Sequence, residues 1–351
     1  MAYCGDVSDE AMSRRAVVVG LDVGGTKTNA TVLADDGSFL VHRMVETASC
    51  VRDGPDAAIT AIGGAMRHAL EVAGVPVNAV LAVGLDTPGP ASATGVISSK
   101  GSTNFSEPVW WGYDIRAAVE AHLHLPVIYN NDGNAAALYA HQRHFGAGAD
   151  KRSSVSAIVG TGLGGGVIEC GRVIRGASGM AGELGHIQIP MAGLLGPGQD
   201  VPRCNCGVSG DVESVASLTG IQNNLLPYWL SQYPDHALHR EVSVAEAAKL
   251  VRGLAEGGDE MAKRIFEQQA MAIGRLFTIA SNFVDPDAYF VGGGVVETAP
   301  HFRDWFLDLV RQWTELRPEQ RAVAQFAVVD ELDMAGARGA AMAALHAIRG
   351  A

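Results

Sequence analysis

The sequence contains aspartates, glycines and cysteines whose spacing is typical of catalytic, phosphate-binding and metal-binding sites. Residues 126–132 read PVIYNND, an apolar run that ends in polar residues, and a helical pattern begins at about Asn134. Asp132 is therefore predicted at the carboxyl end of a strand and the amino end of a helix, where α/β sheets commonly place active sites. An aspartate there could cap the helix or act as a general base on a hydroxyl.

Two glycine-rich segments have the composition of phosphate-binding turns. Residues 22–28 read DVGGTKT and residues 160–165 read GTGLGG. Alternating β patterns follow both, whereas a dinucleotide fingerprint or a Walker A loop needs a helix there. We predict tight hairpin turns whose backbone N–H groups, with the hydroxyls of Thr26, Thr28 and Thr161, could hold phosphate. An ordinary turn would explain either segment alone, but two in matched positions favour a phosphate ligand.

The cysteines point to a metal site or to reduced thiols. The chain has five cysteines, an odd number, and only Cys204 and Cys206 lie close together. That pattern does not suit a disulfide framework and is typical of a reducing compartment.

The glycine turns lie in two copies of one longer pattern. From residue 16 the sequence AVVVGLDVGGTKTNATVLADDGSFLVHR predicts a three-strand meander, and VSAIVGTGLGGGVIECGRVIRG repeats it from residue 155. Helical and strand patterns alternate after each meander, with helices near 245–254 and 261–283 and a strand in AYFV before Gly292. The sequence therefore predicts an α/β protein with duplicated halves.

A chain of 351 residues is long enough for two lobes. We expect a loose leader at 1–15, an N-terminal α/β lobe at 16–133 and a C-terminal α/β lobe at 134–334. A cysteine-containing insertion is expected at 190–213, and a C-terminal helix at about 335–351 could pack back on the first lobe.

The composition excludes several classes of partner. The formal net charge is −12 and no dense stripe of lysine or arginine opposes it, so nucleic acid is not expected to bind. No apolar run approaches the length of a membrane span, and the leader lacks the apolar core of a signal peptide. We expect a cytoplasmic protein without a membrane partner.

A pair of glycine-rich hairpins, one in each half, resembles the ATPase fold of actin, the Hsp70 ATPase domain and sugar kinases, which is ribonuclease H-like. Within it the chain resembles the ROK family of repressors, open reading frames and kinases. From Val17 to about Leu345 the matching motifs are DVGGTKT, NNDGNAAAL, GTGLGGGVI, GMAGELGHI, CNCGVSGDVE and DPDAYFVGGG. The resemblance implies two βββαβαβα lobes with an active-site cleft between them, and ATP-dependent phosphorylation of a hexose hydroxyl.

The resemblance also implies residue roles. Asp132 would be the general base, and Asp22 would face the Mg²⁺ of the nucleotide through water, although it could also be a turn-forming aspartate. The implied nucleotide contacts are Asp22, Gly24, Gly25, Thr26, Lys27, Thr28, Gly160, Thr161, Gly162, Gly292, Gly293 and Gly294. The implied sugar contacts are Asn104, Asn131, Asp132, Glu183, His186 and Glu213.

A structural zinc site is implied with one unusual ligand. The family pattern is C-x-C-G-x-x-G-C-x-E, whereas this chain reads CNCGVSGDVE and places Asp211 at the third thiolate position. The expected set is His186, Cys204, Cys206 and Asp211, since a carboxylate oxygen can replace a thiolate in a tetrahedral site. A vestigial site with two free thiols is the alternative.

The sequence leaves the substrate open. The 6-hydroxyl of glucose is expected, with N-acetylmannosamine, N-acetylglucosamine, fructose, allose and mannose as alternatives, because residues 98–111 depart from the proline-rich segment of the family's glucokinases. Polyphosphate could replace ATP. A non-catalytic sugar sensor is the alternative of another class, while a repressor would need a helix-turn-helix domain ahead of the first meander, where only about 15 residues stand. A homodimer, or a tetramer, is expected.

Overall fold

The computed structural model describes residues 15–102, 104–241, 243–329 and 331–350. Apart from Arg15, the predicted leader lies outside the described residues. The strands are β1 (Val17–Val23), β2 (Lys27–Ala34), β3 (Val45–Ala48), β4 (Val80–Thr87), β5 (Val127–Asn131), β6 (Ser154–Val159), β7 (Leu163–Glu169), β8 (Arg172–Val173), β9 (Ala288–Gly293) and β10 (Gln325–Val328). The helices are α1 (Pro55–Ala73), α2 (Ile115–Leu123), α3 (Asp132–Phe145), α4 (Glu213–Ala216), α5 (Leu218–Gly220), α6 (Leu226–Gln232), α7 (Val244–Glu256), α8 (Glu260–Phe283), α9 (Pro300–Trp313), α10 (Pro318–Val323) and α11 (Leu332–Arg349).

The chain divides into two compact units. The first contains the described residues of 15–139, 175–181 and 331–350, and the second contains those of 140–174 and 182–329. Each unit holds one five-stranded sheet and its own buried apolar clusters. The α/β fold predicted from alternating strand and helix patterns is confirmed.

The first sheet has the strand order β3-β2-β1-β4-β5. Strands β1, β2 and β3 form the antiparallel meander, while β4 pairs parallel with β1, and β5 with β4. Because β1, β4 and β5 are parallel, their carboxyl ends meet at one edge of the sheet.

The second sheet repeats this topology with the order β10-β9-β6-β7-β8. Its third meander strand, β8, has two residues and follows a turn in which Cys170 and Gly171 both have positive φ, as such tight hairpins require. The prediction missed β10, because four residues between two helices carry too little alternation to be recognised. With β10 included, the order of strands along the chain and across the sheet is the same in both units, so the predicted duplication is confirmed.

The C-terminal helix α11 packs on β1, β2 and β4 of the first sheet. Glycines in the strands make this close approach feasible: a Cβ on Gly20 would lie 1.9 Å from the carbonyl oxygen of Ala337, and one on Gly84 would lie 1.9 Å from that of Ala340. Any larger residue at either position would displace the helix.

The boundaries of the units differ in detail from the sequence expectation. The division falls inside α3, between Tyr139 and Ala140, and residues 175–181 belong to the first unit. Helix α3 itself begins at Asp132, two residues before the predicted start. Across the part of the chain that the structure describes, no helix combines the length and apolar character needed to cross a bilayer.

Candidate functional site

Asp132 is the first residue of α3 and directly follows β5. Its Oδ1 accepts a hydrogen bond from the backbone N–H of Gly133 at 2.7 Å, and the Oδ1 of Asn131 accepts one from Asn134 at 3.3 Å. The positive end of the helix dipole stabilises a carboxylate in this place. Asp132 is thus positioned as the sequence predicted, at a strand end and a helix start.

A row of polar side chains crosses the first sheet beside Asp132. Asp22 on β1 pairs in register with Asn29 on β2 and with Asp86 on β4, and Asp86 pairs with Asn130 on β5. The Nδ2 of Asn29 donates to the Oδ2 of Asp22 at 3.3 Å. The side chain of Asp86 is 0% exposed, and neither of its oxygens has a hydrogen-bond partner among the described groups.

Burial and like charge act together on these carboxyl groups. Burial raises the pKa of Asp86 well above its usual range, and the negative charges of Asp22 and Asp132 raise it further. Burial also raises the pKa of Asp22, against the opposing effects of the neighbouring Asp86 carboxyl, which can donate a hydrogen bond to Asp22 only when it is protonated, and of the Asn29 amide. Carboxylate oxygens are the ligands that Mg²⁺ prefers, so this cluster fits the predicted magnesium role of Asp22.

The first glycine-rich turn is a hairpin between β1 and β2, as predicted, and the backbone N–H of Gly24 donates to the carbonyl of Lys27 at 2.9 Å. A Cβ on Gly25 would lie 2.7 Å from Cγ of Asn104, so Asn104 packs directly on this turn. The Nζ of Lys27 lies 2.7 Å from Glu46 Oε1, and the side chain of Thr28 is fully buried. Among the residues predicted to hold phosphate at this turn, Thr26 and Lys27 have exposed side chains, whereas the hydroxyl of Thr28 is buried.

The second glycine-rich turn joins β6 to β7, again as predicted, and it is held from the side of α4 and α5. The N–H of Gly160 donates to the carbonyl of Gly162 at 2.9 Å, and Thr219 donates to the carbonyl of Thr161 from both its N–H and its hydroxyl. Glu213 Oε2 accepts a hydrogen bond from the N–H of Leu163 at 2.8 Å. A Cβ on Gly162 would lie 2.6 Å from that oxygen, which explains the glycine.

The third glycine segment ends β9 next to this turn. Gly293 has a φ of 92°, and a Cβ there would lie 2.0 Å from the carbonyl oxygen of Val159 on β6. Gly160, Thr161 and Gly294 all line one cavity of about 380 Å³ within the second unit. Two of the glycine segments predicted to hold the nucleotide therefore meet at a single cavity of ligand size.

Three of the predicted sugar contacts lie together in the second unit. Burial raises the pKa of Glu183, the charge of His186 lowers it and the charge of Glu213 raises it, so the three groups act on one another. Glu213 also accepts a hydrogen bond from the thiol of Cys204 at 3.3 Å through Oε1. The other three predicted contacts, Asn104, Asn131 and Asp132, belong to the first unit.

Four side chains in the second unit could hold a metal ion. One donor atom from each of His186, Cys204, Cys206 and Asp211 lies within 4.8 Å of all the others. His186 Nδ1 is 3.2 Å from Asp211 Oδ2 and 3.9 Å from Cys204 Sγ, and Cys206 Sγ is 3.7 Å from Asp211 Oδ2. Zinc bonds of 2.0 to 2.3 Å in a tetrahedron imply ligand separations of about 3.3 to 3.8 Å, so the donor set fits Zn²⁺.

Asp211 has a second function in the same place. Its Oδ1 accepts a hydrogen bond from the N–H of Ser214 at 2.9 Å and leaves Oδ2 directed at His186 and Cys206. Burial opposes ionisation of Asp211, but hydrogen bonds from His186 and Ser214 lower its pKa overall. The hydrogen bond to Asp211 raises the pKa of His186 to about 9, against the effect of burial.

The sequence matches the model of the ROK family over residues 18–347. This chain belongs to the ROK family. The membership confirms the resemblance drawn from the glycine turns and the NNDGNAAAL, GELGH and CNCG motifs.

The chain is similar to named enzymes of two kinds. A glucokinase of Halalkalibacterium halodurans is 30% identical over 311 residues, which cover 85% of this chain and 89% of the relative. An N-acetyl-D-glucosamine kinase of Citrobacter koseri is 31% identical over 290 residues, covering 79% and 83%. The crystal structure of a ROK family glucokinase from Streptomyces griseus, in complex with glucose and AMPPNP, matches with a TM-score of 0.68 and 29% identity, covering 94% of this chain and 99% of that one.

Sequence reasoning missed two polar residues that the ROK fold brings into these sites. Asp86 ends the apolar strand of residues 79–87, AVLAVGLDT, and an acid at such a strand end was a usable signal. Gln269 lies in α8 among apolar residues, and nothing in its periodicity separates it from a core position. It lines the cavity beside Gly160 and Gly294.

Proposed function

We propose that this ROK family chain is a sugar kinase that transfers the γ-phosphate of ATP to a hexose hydroxyl, the 6-hydroxyl of glucose, with Asp132 as the general base. The observation that carries the proposal is the place of Asp132 at the junction of β5 and α3, next to the buried row that contains Asp22. The names of the relatives support both the reaction and the class of acceptor.

In the proposed reaction Asp132 accepts the proton of the sugar hydroxyl as its oxygen attacks phosphorus. Phosphoryl transfer depends mainly on positioning and on charge stabilisation, so a carboxylate that orients the hydroxyl and finally takes its proton is sufficient. The hydrogen bond from the N–H of Gly133 fixes the direction of the Asp132 carboxyl group.

The phosphate chain is proposed to lie against the glycine turns, where backbone N–H groups approach a ligand closely. Mg²⁺ bound with ATP supplies neutralisation of the β- and γ-phosphate charge, and Asp22 would hold it through water. The adenosine is assigned to the cavity beside Gly160 and Gly294. The S. griseus structure in complex with AMPPNP is a precedent for a nucleotide ligand in this fold.

Sugar recognition is assigned to Asn104, Asn131, Glu183, His186 and Glu213, because a buried polar group left without its hydroxyl partner rejects the wrong isomer strongly. We propose that Zn²⁺ at His186, Cys204, Cys206 and Asp211 has a structural role. It would fix the imidazole of His186 and order residues 190–213, and would take no part in bond breaking.

The test is an ADP-release assay with Mg²⁺-ATP over glucose, N-acetylglucosamine, N-acetylmannosamine, mannose, fructose and allose. We expect turnover with glucose, and a loss of about 10²-fold or more in kcat for Asp132→Asn, since the amide cannot accept the proton. The amide keeps the shape of the side chain, so sugar binding by calorimetry should persist. Near-normal kcat in this variant would refute the role of Asp132.

A non-catalytic sugar sensor is the second candidate, and the substrate alternatives belong to the same experiment. A sensor would bind a sugar in calorimetry and release no ADP with any of the six. Fastest turnover with N-acetylglucosamine would favour the activity named for the C. koseri relative instead of glucose.

A further inference from the structure

The cavity of about 380 Å³ in the second unit is apolar over most of its wall. Its glycine side is formed by Gly160, Thr161 and Gly294. The apolar lining is Val159, Leu218, Ile221, Ala248, Phe266 and Val295. Such a wall suits the faces of a flat aromatic ring, and the volume is within the range of small-molecule sites.

Among the cavity residues, one buried side-chain oxygen has no hydrogen-bond partner in the described part of the chain. Gln269 on α8 is only 1% exposed, and its Oε1 has no partner among the described groups. The neighbouring residue Gln268 is also buried but accepts a hydrogen bond from Trp229 Nε1 at 2.7 Å and donates to the carbonyl of Leu194 at 2.9 Å. Buried amides are normally paired in this way, so the orphaned Gln269 indicates a partner that comes with a ligand.

The rim of the cavity carries positive charge. Lys249 and Arg252 lie on exposed positions of α7, and Arg252 donates to the carbonyl of Gly294. These features match the parts of a nucleotide. The apolar pocket with its unpaired amide oxygen suits a base, and the cations at the rim and the glycine turn suit the phosphates outside it.

We propose that Gln269 recognises the adenine base, with Oε1 accepting a hydrogen bond from the 6-amino group and Nε2 donating to the adjacent ring nitrogen. A glutamine amide pairs with adenine in this two-point manner. The inference rests on the proposed use of ATP. It adds the residue that would make the protein prefer ATP to a phosphate donor that has no base, such as polyphosphate.

The experiment is a double-mutant cycle between the protein and the nucleotide. Equilibrium binding of Mg²⁺-ATP and of Mg²⁺-purine riboside triphosphate, which lacks the 6-amino group, is measured by calorimetry without sugar for the wild type and Gln269→Leu. We expect the wild type to bind ATP about tenfold more tightly than the analogue, as one lost hydrogen bond implies. The variant should bind both nucleotides equally, and more weakly than the wild type binds the analogue, because leucine also removes the hydrogen bond from Nε2 to the ring nitrogen.

A preference for ATP that survives unchanged in Gln269→Leu would overturn the assignment, as would absence of ATP binding in the wild type. Because leucine removes an unpaired buried amide, the free variant should unfold at the same temperature as the wild type or higher, which separates loss of recognition from loss of fold. The binding measurement contains no acceptor sugar. The tenfold coupling together with no ADP release would therefore sustain the role of Gln269 while refuting the kinase.

Discussion

At the scale of single residues, two aspartates differ in how their carboxyl groups are surrounded: Asp86 lies beside other acidic groups, and Asp287 lies beside hydrogen-bond donors. Asp86 is enclosed next to Asp22 and Asp132 without a hydrogen-bond donor from the described chain. Asp287, before β9, accepts hydrogen bonds from Arg152 Nη1 at 2.6 Å and from the N–H of Ser153 at 2.8 Å. The first carboxylate destabilises the fold in the absence of a cation, and the second stabilises it.

Asp86→Asn should raise the unfolding temperature of metal-free protein. The amide has the same shape, adds a donor that can reach Asp22 and removes one of three neighbouring acidic groups, so we expect a gain of about 1 kcal/mol, or about 2 to 4 °C. Differential scanning calorimetry in EDTA measures it. An unfolding temperature below that of the wild type would contradict the view that Asp86 is strained by like charge.

Asp287→Asn is the matched control for Asp86→Asn, and it should lower the free energy of unfolding where Asp86→Asn raises it. Burial opposes ionisation of Asp287, but hydrogen bonds from Ser153 and Arg152 hold its pKa below the usual value. A lowered folded pKa contributes stability above the unfolded value of about 4, and that stability is lost as the pH falls through the folded pKa. We expect a loss of about 1 kcal/mol at pH 7, since Arg152 is half exposed, and a difference from the wild type that shrinks as the pH falls through the lowered pKa of Asp287.

At the scale of an element, residues 190–213 depend on Asp211 for two contacts. Oδ1 caps α4 through Ser214, while Oδ2 faces the proposed zinc ligands. Two isolated bridges, between Gln188 and Asp211 and between Arg203 and Ser209, are the β pairing described around this segment. The carboxylate thus combines a helix cap with a ligand position, which a thiolate could not do equally well.

Asp211→Cys should bind zinc more tightly and lose the cap. Because a thiolate is the softer ligand, we expect zinc to be retained at about tenfold or higher chelator concentration than in the wild type, with up to about 1 kcal/mol less stability in the zinc-free protein. Asp211→Asn, which keeps an oxygen for the cap but is a poorer ligand, is the control and should lose zinc first. Metal analysis after graded dialysis against chelator gives the order, and equal retention in all three proteins would refute the site.

At the scale of the whole molecule, the duplicated topology gives each unit a sheet and a core of its own. The buried clusters around β1 and around β6 draw their members from one unit each. Chains built in this way commonly depart from two-state unfolding, because each core has its own stability.

Gly293→Ala should therefore weaken the second unit selectively. Its φ of 92° and the Cβ contact of 2.0 Å with Val159 predict a loss of more than about 2 kcal/mol. Gly253→Ala, on the exposed face of α7 with nothing within 4 Å, is the control and should gain about 0.5 to 1 kcal/mol. Hydrogen exchange read peptide by peptide locates the effect, and equal loss of protection in both units would contradict independent cores.

The sequence by itself determined the family, the two hairpin turns, the α/β class and the position of Asp132. Each depends on residues close together in the chain: a run of β-branched residues, a glycine turn, or a strand that leads into a helix. The same local reading identified the C-x-C pair and the departure at Asp211, because the zinc pattern is itself a short motif. The roles of the site residues stay predictions until the variants are measured.

Only the tertiary structure decided which distant residues meet. Asp86 stands beside Asp22 because β4 pairs with β1, and α11 joins the first unit because Gly20 and Gly84 admit it. Gln269 has the periodicity of a core residue. That its Oε1 lacks a hydrogen-bond partner can be seen only when the residues around the cavity are placed in three dimensions. Burial and hydrogen-bond pairing depend on every neighbour in space, which a pattern along one segment does not contain.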